Sequence, residues 1–349
     1  MTRSETIAPM DAAVDAFIAR APKVELHLHL VGSASVATLG ELAEAHPDAG
    51  VPSYPAQLRR FFEFRDFPHF IEVYSTVNDL VRSPADVATL VRNAAADLAT
   101  HNVRYAEITV TPYMHELRGL PAEGVVEGLD EGRRAARELG VDLAWIYDIP
   151  GQFGQPAARR TVELAVEQPP PALVGFGLAG AEAGVTRADY AWAFDRARAA
   201  GLHSVPHAGE GDGPASVRSA VEDLHAERIG HGVRAIEDPD LVATLAERRI
   251  PLEVCPSSNV CTRVYPRLAD HPISALIDAG VIITVNTDDP HMFDTDVSTE
   301  YRRVAETFGF GVDELAALVV NGINASFLPA AEKQRLVAEV EAVADDVGS

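Results

Sequence analysis

Eight short β-rich runs, amphipathic helical runs between most of them, and 349 residues of which 47% are hydrophobic predict an α/β fold, a (β/α)8 TIM-type barrel. The strand-like runs lie at 24–30, 103–111, 141–148, 173–178, 202–207, 228–231, 252–255 and 281–287. Strand and helix in alternation give parallel strands with helices outside. The punctuation agrees: Pro121 opens a helical run that reaches Leu139 before Gly140, and Thr186 stands as a cap before a run closing on Gly201. Residues 33–100 read as a helical insertion after the first strand, and residues 297–346 as a helical C-terminal tail. No linker, low-complexity tract or repeat divides the chain, so one domain is expected over residues 1–349.

Composition narrows the partners. The 52 acidic residues outnumber the 29 Lys and Arg, for a formal charge of -23, which opposes contact with phosphate backbones or anionic lipid. A small molecule is the expected partner, with no nucleic acid and no membrane. Two cysteines, Cys255 and Cys261, are too few for a disulfide framework or a Cys-based zinc site. No run supplies the ~20 apolar residues of a membrane span. Arg3, Glu5, Asp11, Asp15 and Arg20 interrupt any apolar h-region at the N-terminus, so a cytoplasmic location is expected.

In such barrels the chemistry sits at the C-terminal ends of the strands. The first strand carries His27 and His29, which alternation places on the same side, where both can grip one cation. The fifth run ends Pro206-His207-Ala208-Gly209-Glu210, and the eighth Asn286-Thr287-Asp288-Asp289-Pro290. Singly, each fits a bland alternative: a His-x-His pair can be two satisfied histidines, His207 a buried imidazole on a carbonyl, Asp288-Asp289 a turn. Together at one rim they make three imidazoles and a carboxylate, a donor set suited to one Zn2+ with a position left for water. The sixth run ends Gly230-His231-Gly232, whose glycines let backbone or substrate come close. Glu210, three residues after His207, is placed for an acid role, its alternative being a solvated loop carboxylate.

These residues resemble the motifs of the adenosine and adenine deaminases, within the metal-dependent amidohydrolases. The matching segments, in that family's order, are Pro22-Lys23-Val24-Glu25-Leu26-His27-Leu28-His29, Leu178-Ala179-Gly180, His207-Ala208-Gly209-Glu210, Arg228-Ile229-Gly230-His231-Gly232 and Asn286-Thr287-Asp288-Asp289-Pro290. The resemblance implies one zinc held by His27, His29, His207 and Asp288. It further implies that Glu210 protonates purine N1, His231 positions and helps deprotonate the attacking water, Asp289 bonds N7, and the Gly180 N–H bonds N3. The activity implied is hydrolytic deamination of a 6-aminopurine nucleoside. A strand-4 lysine, the mark of two-metal relatives, is absent from residues 173–178.

One departure bears on substrate. Where the family carries an acidic residue two positions after the second histidine, for the ribose 5′-hydroxyl, this chain has Val31. An apolar wall there suits a larger 5′ substituent, as in 6-aminodeoxyfutalosine, which a menaquinone-pathway branch of the family deaminates. Its benzoate would need a partner, for which Arg65 in the aromatic segment 61–70 is a candidate, with Phe61 and its neighbours covering the ring; the alternative for these Phe residues is packing on the barrel. The other expectations are an adenosine or 2′-deoxyadenosine deaminase of purine salvage and a non-catalytic nucleoside-binding protein. The pattern Gly175-x-Gly177-x-x-Gly180 opens no helix at once and is not read as a dinucleotide fingerprint. His115-Glu116 is assigned to the surface, and His203, His225 and His271 to structural or surface positions.

Overall fold

The computed structural model describes residues 11–349. Its parallel strands are β1 (Lys23–His29), β2 (Val103–Val110), β3 (Asp142–Pro150), β4 (Leu173–Ala179), β5 (His203–Ser204), β6 (His207–Ala208), β7 (Ile229–His231), β8 (Leu252–Val254) and β9 (Ile283–Val285). β1 to β5 pair in sequence order and so do β6 to β9. β5 and β6 are the two halves of the expected fifth strand. Pro206, with no N–H to give a ladder, falls between them. The segment is still held on both sides, since Val205 N–H donates to Phe176 O at 2.9 Å and Gly230 N–H to Pro206 O at 3.0 Å.

The ring closes beside the site. His29 N–H donates to Asp288 O at 3.0 Å and Asp288 N–H to His27 O at 2.9 Å. The Asn286 Oδ1 accepts from Leu26 N–H at 3.0 Å, so a side chain completes the ladder where the backbone diverges. The eight barrel positions are those expected, with the fifth strand split.

Inside the barrel the filling is polar. Glu25, Glu107, Arg228, Glu253, Thr284 and Asn286 are all at most 1% exposed. Arg228 Nε donates to Glu253 Oε1 at 2.6 Å, its other side pairs with Glu107, and Nη1 donates to Ala325 O at 2.8 Å. A buried charge of this kind is tolerated only when paired and hydrogen-bonded, as each is here.

The insertion holds the helices Val36–Ala45, Pro55–Phe61, Phe67–Asn78 and Pro84–Thr100. The last begins with a capping box between Ser83 and Asp86 and packs on helix Ala122–Glu138, as the outer helix of the first βα unit. A helix Ala12–Arg20, capped by Asp11, precedes β1 and packs on the tail helices Val297–Phe308 and Ala330–Val347. Thr186 makes no capping bond; a 3-10 turn, Arg187–Tyr190, separates it from helix Ala191–Ala199. Among the described residues no helix is long and apolar enough to cross a membrane.

Candidate active site

Four donors from three strand ends converge. His29 Nε2 lies 3.2 Å from His207 Nε2 and 3.3 Å from Asp288 Oδ1, and His27 Nε2 lies 3.5 Å from the same oxygen. Tetrahedral zinc with bonds near 2.0 Å sets its ligands about 3.3 Å apart. Two imidazole nitrogens facing each other at such a distance repel through their lone pairs unless a proton or a cation lies between. Among the described residues His27 Nε2 is buried with no hydrogen-bond partner of its own, which a cation would satisfy. The residues therefore fit the metal. The far side of His27 is fixed as well, with Nδ1 at 2.9 Å from Glu253 Oε2, and Ser258 Oγ donates to Asp288 Oδ2 at 2.7 Å. Such outer partners hold a ligand's tautomer and orientation.

Two site residues adopt left-handed backbone conformations that side chains other than glycine rarely take: His231 with φ 59° and Asp288 with φ 65°. His231 Nε2 then lies 3.6 Å from Glu210 Oε2 and 3.8 Å from Asp288 Oδ2. Of the flanking glycines, Gly230 makes room for the imidazoles, because a Cβ there would stand 2.8 Å from His27 Cε1 and 3.1 Å from His207 Cγ, while Gly232, at φ 69°, lies against Leu252. Burial, together with the charges of Asp288 and Glu182, raises the Glu210 pKa well above the usual carboxylate range. Burial and Asp288 do the same to Asp289. Both acids are thereby disposed to keep a proton at neutral pH. Burial lowers His231 to about 3, against the pull of Asp288, so its ring is neutral.

One cavity lies over this cluster, lined by His29, His207, Glu210, His231, Asp288, Asp289 and Gly180. Its roof is helix Phe67–Asn78, started by Asp66, whose Oδ1 accepts the His69 N–H at 2.9 Å. Phe67, Phe70, Ile71, Tyr74 and Ser75, at i, i+3, i+4, i+7 and i+8, turn one face to the cavity. The residues expected to receive a 5′ substituent do not line it. Val31 is 3% exposed within the apolar core, Arg65 is exposed, and Phe61 packs beside Phe62 with ring centroids 5.8 Å apart. The physical reason is register: the aromatic segment enters the roof one helix later than expected, at Phe67 rather than Phe61. The Val31 segment acts from behind, since a Cβ on Gly32 would overlap the Asp289 carboxylate.

The family model described as "Adenosine deaminase" matches residues 22–343. The chain belongs to the adenosine deaminase family. Its curated relatives include an aminodeoxyfutalosine deaminase from Streptomyces avermitilis, 49% identical over 93% of this chain and 92% of that one. An adenine deaminase from Rhizobium etli is 41% identical over 91% and 98%. Among solved structures, an amidohydrolase from Burkholderia ambifaria with bound zinc superposes with a TM-score of 0.89 at 28% identity, covering 99% of this chain and 97% of that one.

In this adenosine deaminase family member several polar residues around the cavity escaped the sequence reading. Glu182 is 2% exposed and accepts N–H bonds from Gly209 at 2.9 Å, Glu210 at 3.0 Å and Asp212 at 2.7 Å. Asp148 and Thr111 line the cavity joined by a 2.6 Å bond. Glu253 was legible in principle as a lone charge within an apolar strand, Leu252-Glu253-Val254. His115 is 1% exposed and not at the surface, while Glu116 forms a bidentate pair with Arg160 at 2.8 and 2.7 Å. Cys255 is a buried free thiol whose pKa burial raises well above its ordinary value, as befits an inert core residue.

Proposed function

We propose that this hydrolytic deaminase acts on a 6-aminopurine nucleoside extended at the 5′ carbon, 6-aminodeoxyfutalosine, in the cytoplasm and with one zinc ion per chain. The observation that carries the substrate is likeness over nearly the whole length: two Streptomyces proteins named aminodeoxyfutalosine deaminase are 49% and 50% identical, over 92% and 85% of their own chains. The cavity roof supports it, because Phe67, Phe70 and Ile71 offer an apolar and aromatic surface for an aryl substituent.

His27, His29, His207 and Asp288 would hold the zinc, which when bound supplies the Lewis acidity that makes water nucleophilic near pH ~7. The protein's own groups do the rest. Glu210, kept protonated by its burial, gives its proton to purine N1, without which C6 is a poor electrophile. Protonated Asp289 donates to N7, and the Gly180 N–H, on a residue whose φ is 89°, donates to N3, so three contacts fix the purine plane. His231 orients the attacking water beside C6; of that water's two protons one ends on the amino group, which departs as ammonia as the C6 carbonyl forms, and the other restores Glu210. Glu210, His231 and Asp289 are thus the catalytic residues of this reading.

The deciding experiment is kcat/KM for 6-aminodeoxyfutalosine, adenosine and adenine, side by side on zinc-loaded enzyme. A preference of about 100-fold for the extended nucleoside, close to 2.7 kcal/mol of transition-state binding, supports the assignment. An equal preference for adenosine, or for the free base that the Rhizobium relatives' name denotes, overturns it.

A further inference from the structure

Behind His231 lies a second pair of polar side chains that the reaction as described does not use. Asn259, in helix Pro256–Cys261 after β8, and His271 are 0% and 4% exposed. Asn259 Nδ2 is 3.3 Å from His231 Nδ1, and Asn259 Oδ1 is 3.1 Å from His271 Nε2. The main chain beneath the carboxamide is itself held, the Asn259 backbone carbonyl accepting the Tyr265 N–H at 3.0 Å. The Tyr265 ring packs on His271 with centroids 5.0 Å apart. We propose that Asn259 and His271 are positioning residues that fix the proton of neutral His231 on Nε2, the nitrogen facing Glu210 and Asp288.

A carboxamide between two neutral imidazoles allows two self-consistent proton arrangements. In the first, His271 Nε2–H donates to Asn259 Oδ1, an Asn259 N–H donates to His231 Nδ1, and the His231 proton sits on Nε2. In the second the amide is reversed, His231 Nδ1–H donates to Asn259, Asn259 donates to His271 Nε2, and His271 carries its proton on Nδ1. His271 Nδ1 chooses between them. It is buried and has no hydrogen-bond partner among the described residues, so the second arrangement strands an N–H donor where the first strands only a lone pair. Orphaned buried N–H groups are the rarer and costlier case. Burial also lowers His271 to about 4, so each ring carries one proton and the choice is real.

The consequence is chemical. His231 Nε2 lies 3.6 Å from Glu210 Oε2 and 3.8 Å from Asp288 Oδ2. The relay therefore has the ring show an N–H rather than a lone pair to the reacting oxygen, so that His231 orients the water as a donor and does not take its proton, unlike the role the family resemblance implies. The proposal rests on the reading above that His231 faces the reacting atoms.

The test uses the zinc-loaded protein with 15N-labelled histidine. The parent should show His231 as the Nε2–H tautomer. Asn259→Asp, whose carboxylate can only accept, should move the proton to Nδ1 and lower kcat about 10- to 100-fold with KM and zinc content unchanged. His271→Phe should also lower kcat, and His271→Gln, which keeps an N–H donor, should recover most of the loss. An Nδ1–H signal in the parent, a parental kcat in Asn259→Asp, or losses confined to KM would overturn the proposal. Should Asn259→Asp fail to fold, the parent spectrum and the His271 pair decide alone. A parent inactive on every 6-aminopurine nucleoside would sink the functional reading, and the tautomer signal would still judge this one.

Discussion

Glu182 Oε2 accepts the backbone N–H of Glu210 at 3.0 Å, so one buried carboxylate from the loop after β4 sets the position of another after β6. Its other oxygen takes the Gly209 N–H at 2.9 Å and pairs with Arg187 at 2.5 Å, while Arg187 Nη2 also donates to the carbonyl of His207 at 3.0 Å. The same carboxylate thus reaches both the acid and a metal-binding histidine through their backbones.

Glu182→Gln replaces one acceptor oxygen by an N–H2 facing N–H donors and leaves Arg187 unpaired inside the protein. Breaking a buried ion pair from one side costs about 3–5 kcal/mol. We expect a stability loss of that order in urea titrations, and kcat reduced by about 10- to 100-fold, as for other outer-shell changes. Glu210→Gln is its contrast: zinc and stability are kept while turnover falls by about 10²- to 10⁴-fold, the share of a general acid. Full turnover in Glu210→Gln removes that residue from the mechanism.

Glu253 sets the other side of the site. Burial alone would raise its pKa, yet the Arg228 guanidinium at 2.6 Å and His27 hold it below the usual carboxylate range. Its Oε2, 2.9 Å from His27 Nδ1, holds that nitrogen's proton, so Nε2 is the nitrogen a cation would take. Glu253→Gln should weaken zinc binding by about 10- to 100-fold, read by competition with a chromogenic chelator. An unchanged zinc affinity would mean that His27 needs no such partner.

The sequence disclosed those parts that rest on local pattern. Strand runs, the His27-x-His29 alternation, and the Glu210 and Asp288-Asp289 segments all depend on neighbours within a few residues, and each lies where expected. Val31, Arg65 and Phe61 do not line the cavity, for a different reason. Which turn of the insertion covers the cavity depends on how a helix capped at Asp66 docks on the rim, and hydrophobic spacing alone fits Phe61 as well as Phe67. Asn259 and Glu182 escaped because their meaning comes from partners 28 residues away in sequence, His231 and Glu210.

Asp148 supplies a pH test. Burial lifts its pKa from 3.8 to about 7, against the Thr111 bond that lowers it. Between those values the folded protein holds a proton that the unfolded chain has released, so stability falls as pH rises, by at most about 1.4 kcal/mol per pH unit, and levels off above pH 7. Asp148→Asn removes that term. The stability of the parent minus that of the variant, from urea titrations at pH 5, 6, 7 and 8, should decline up to about 7 and then flatten. A flat difference throughout would show Asp148 ionised in the folded protein.

Gly230 and Gly232 separate metal placement from backbone strain. Gly230→Ala sets a methyl 2.8 Å from His27 Cε1 and 3.1 Å from His207 Cγ, so at least one of two metal-binding rings must move. Overpacking of this kind costs about 1–3 kcal/mol, and here the displaced groups are the donors themselves. Zinc per chain, by elemental analysis, should fall, with activity falling in step and the far-UV spectrum unchanged. Gly232→Ala strains a backbone at φ 69° and presses on Leu252 instead. It should lose stability while keeping zinc. If Gly230→Ala binds zinc as the parent does, the spacing of His27 and His207 is set elsewhere, and the glycine before His231 serves the backbone alone.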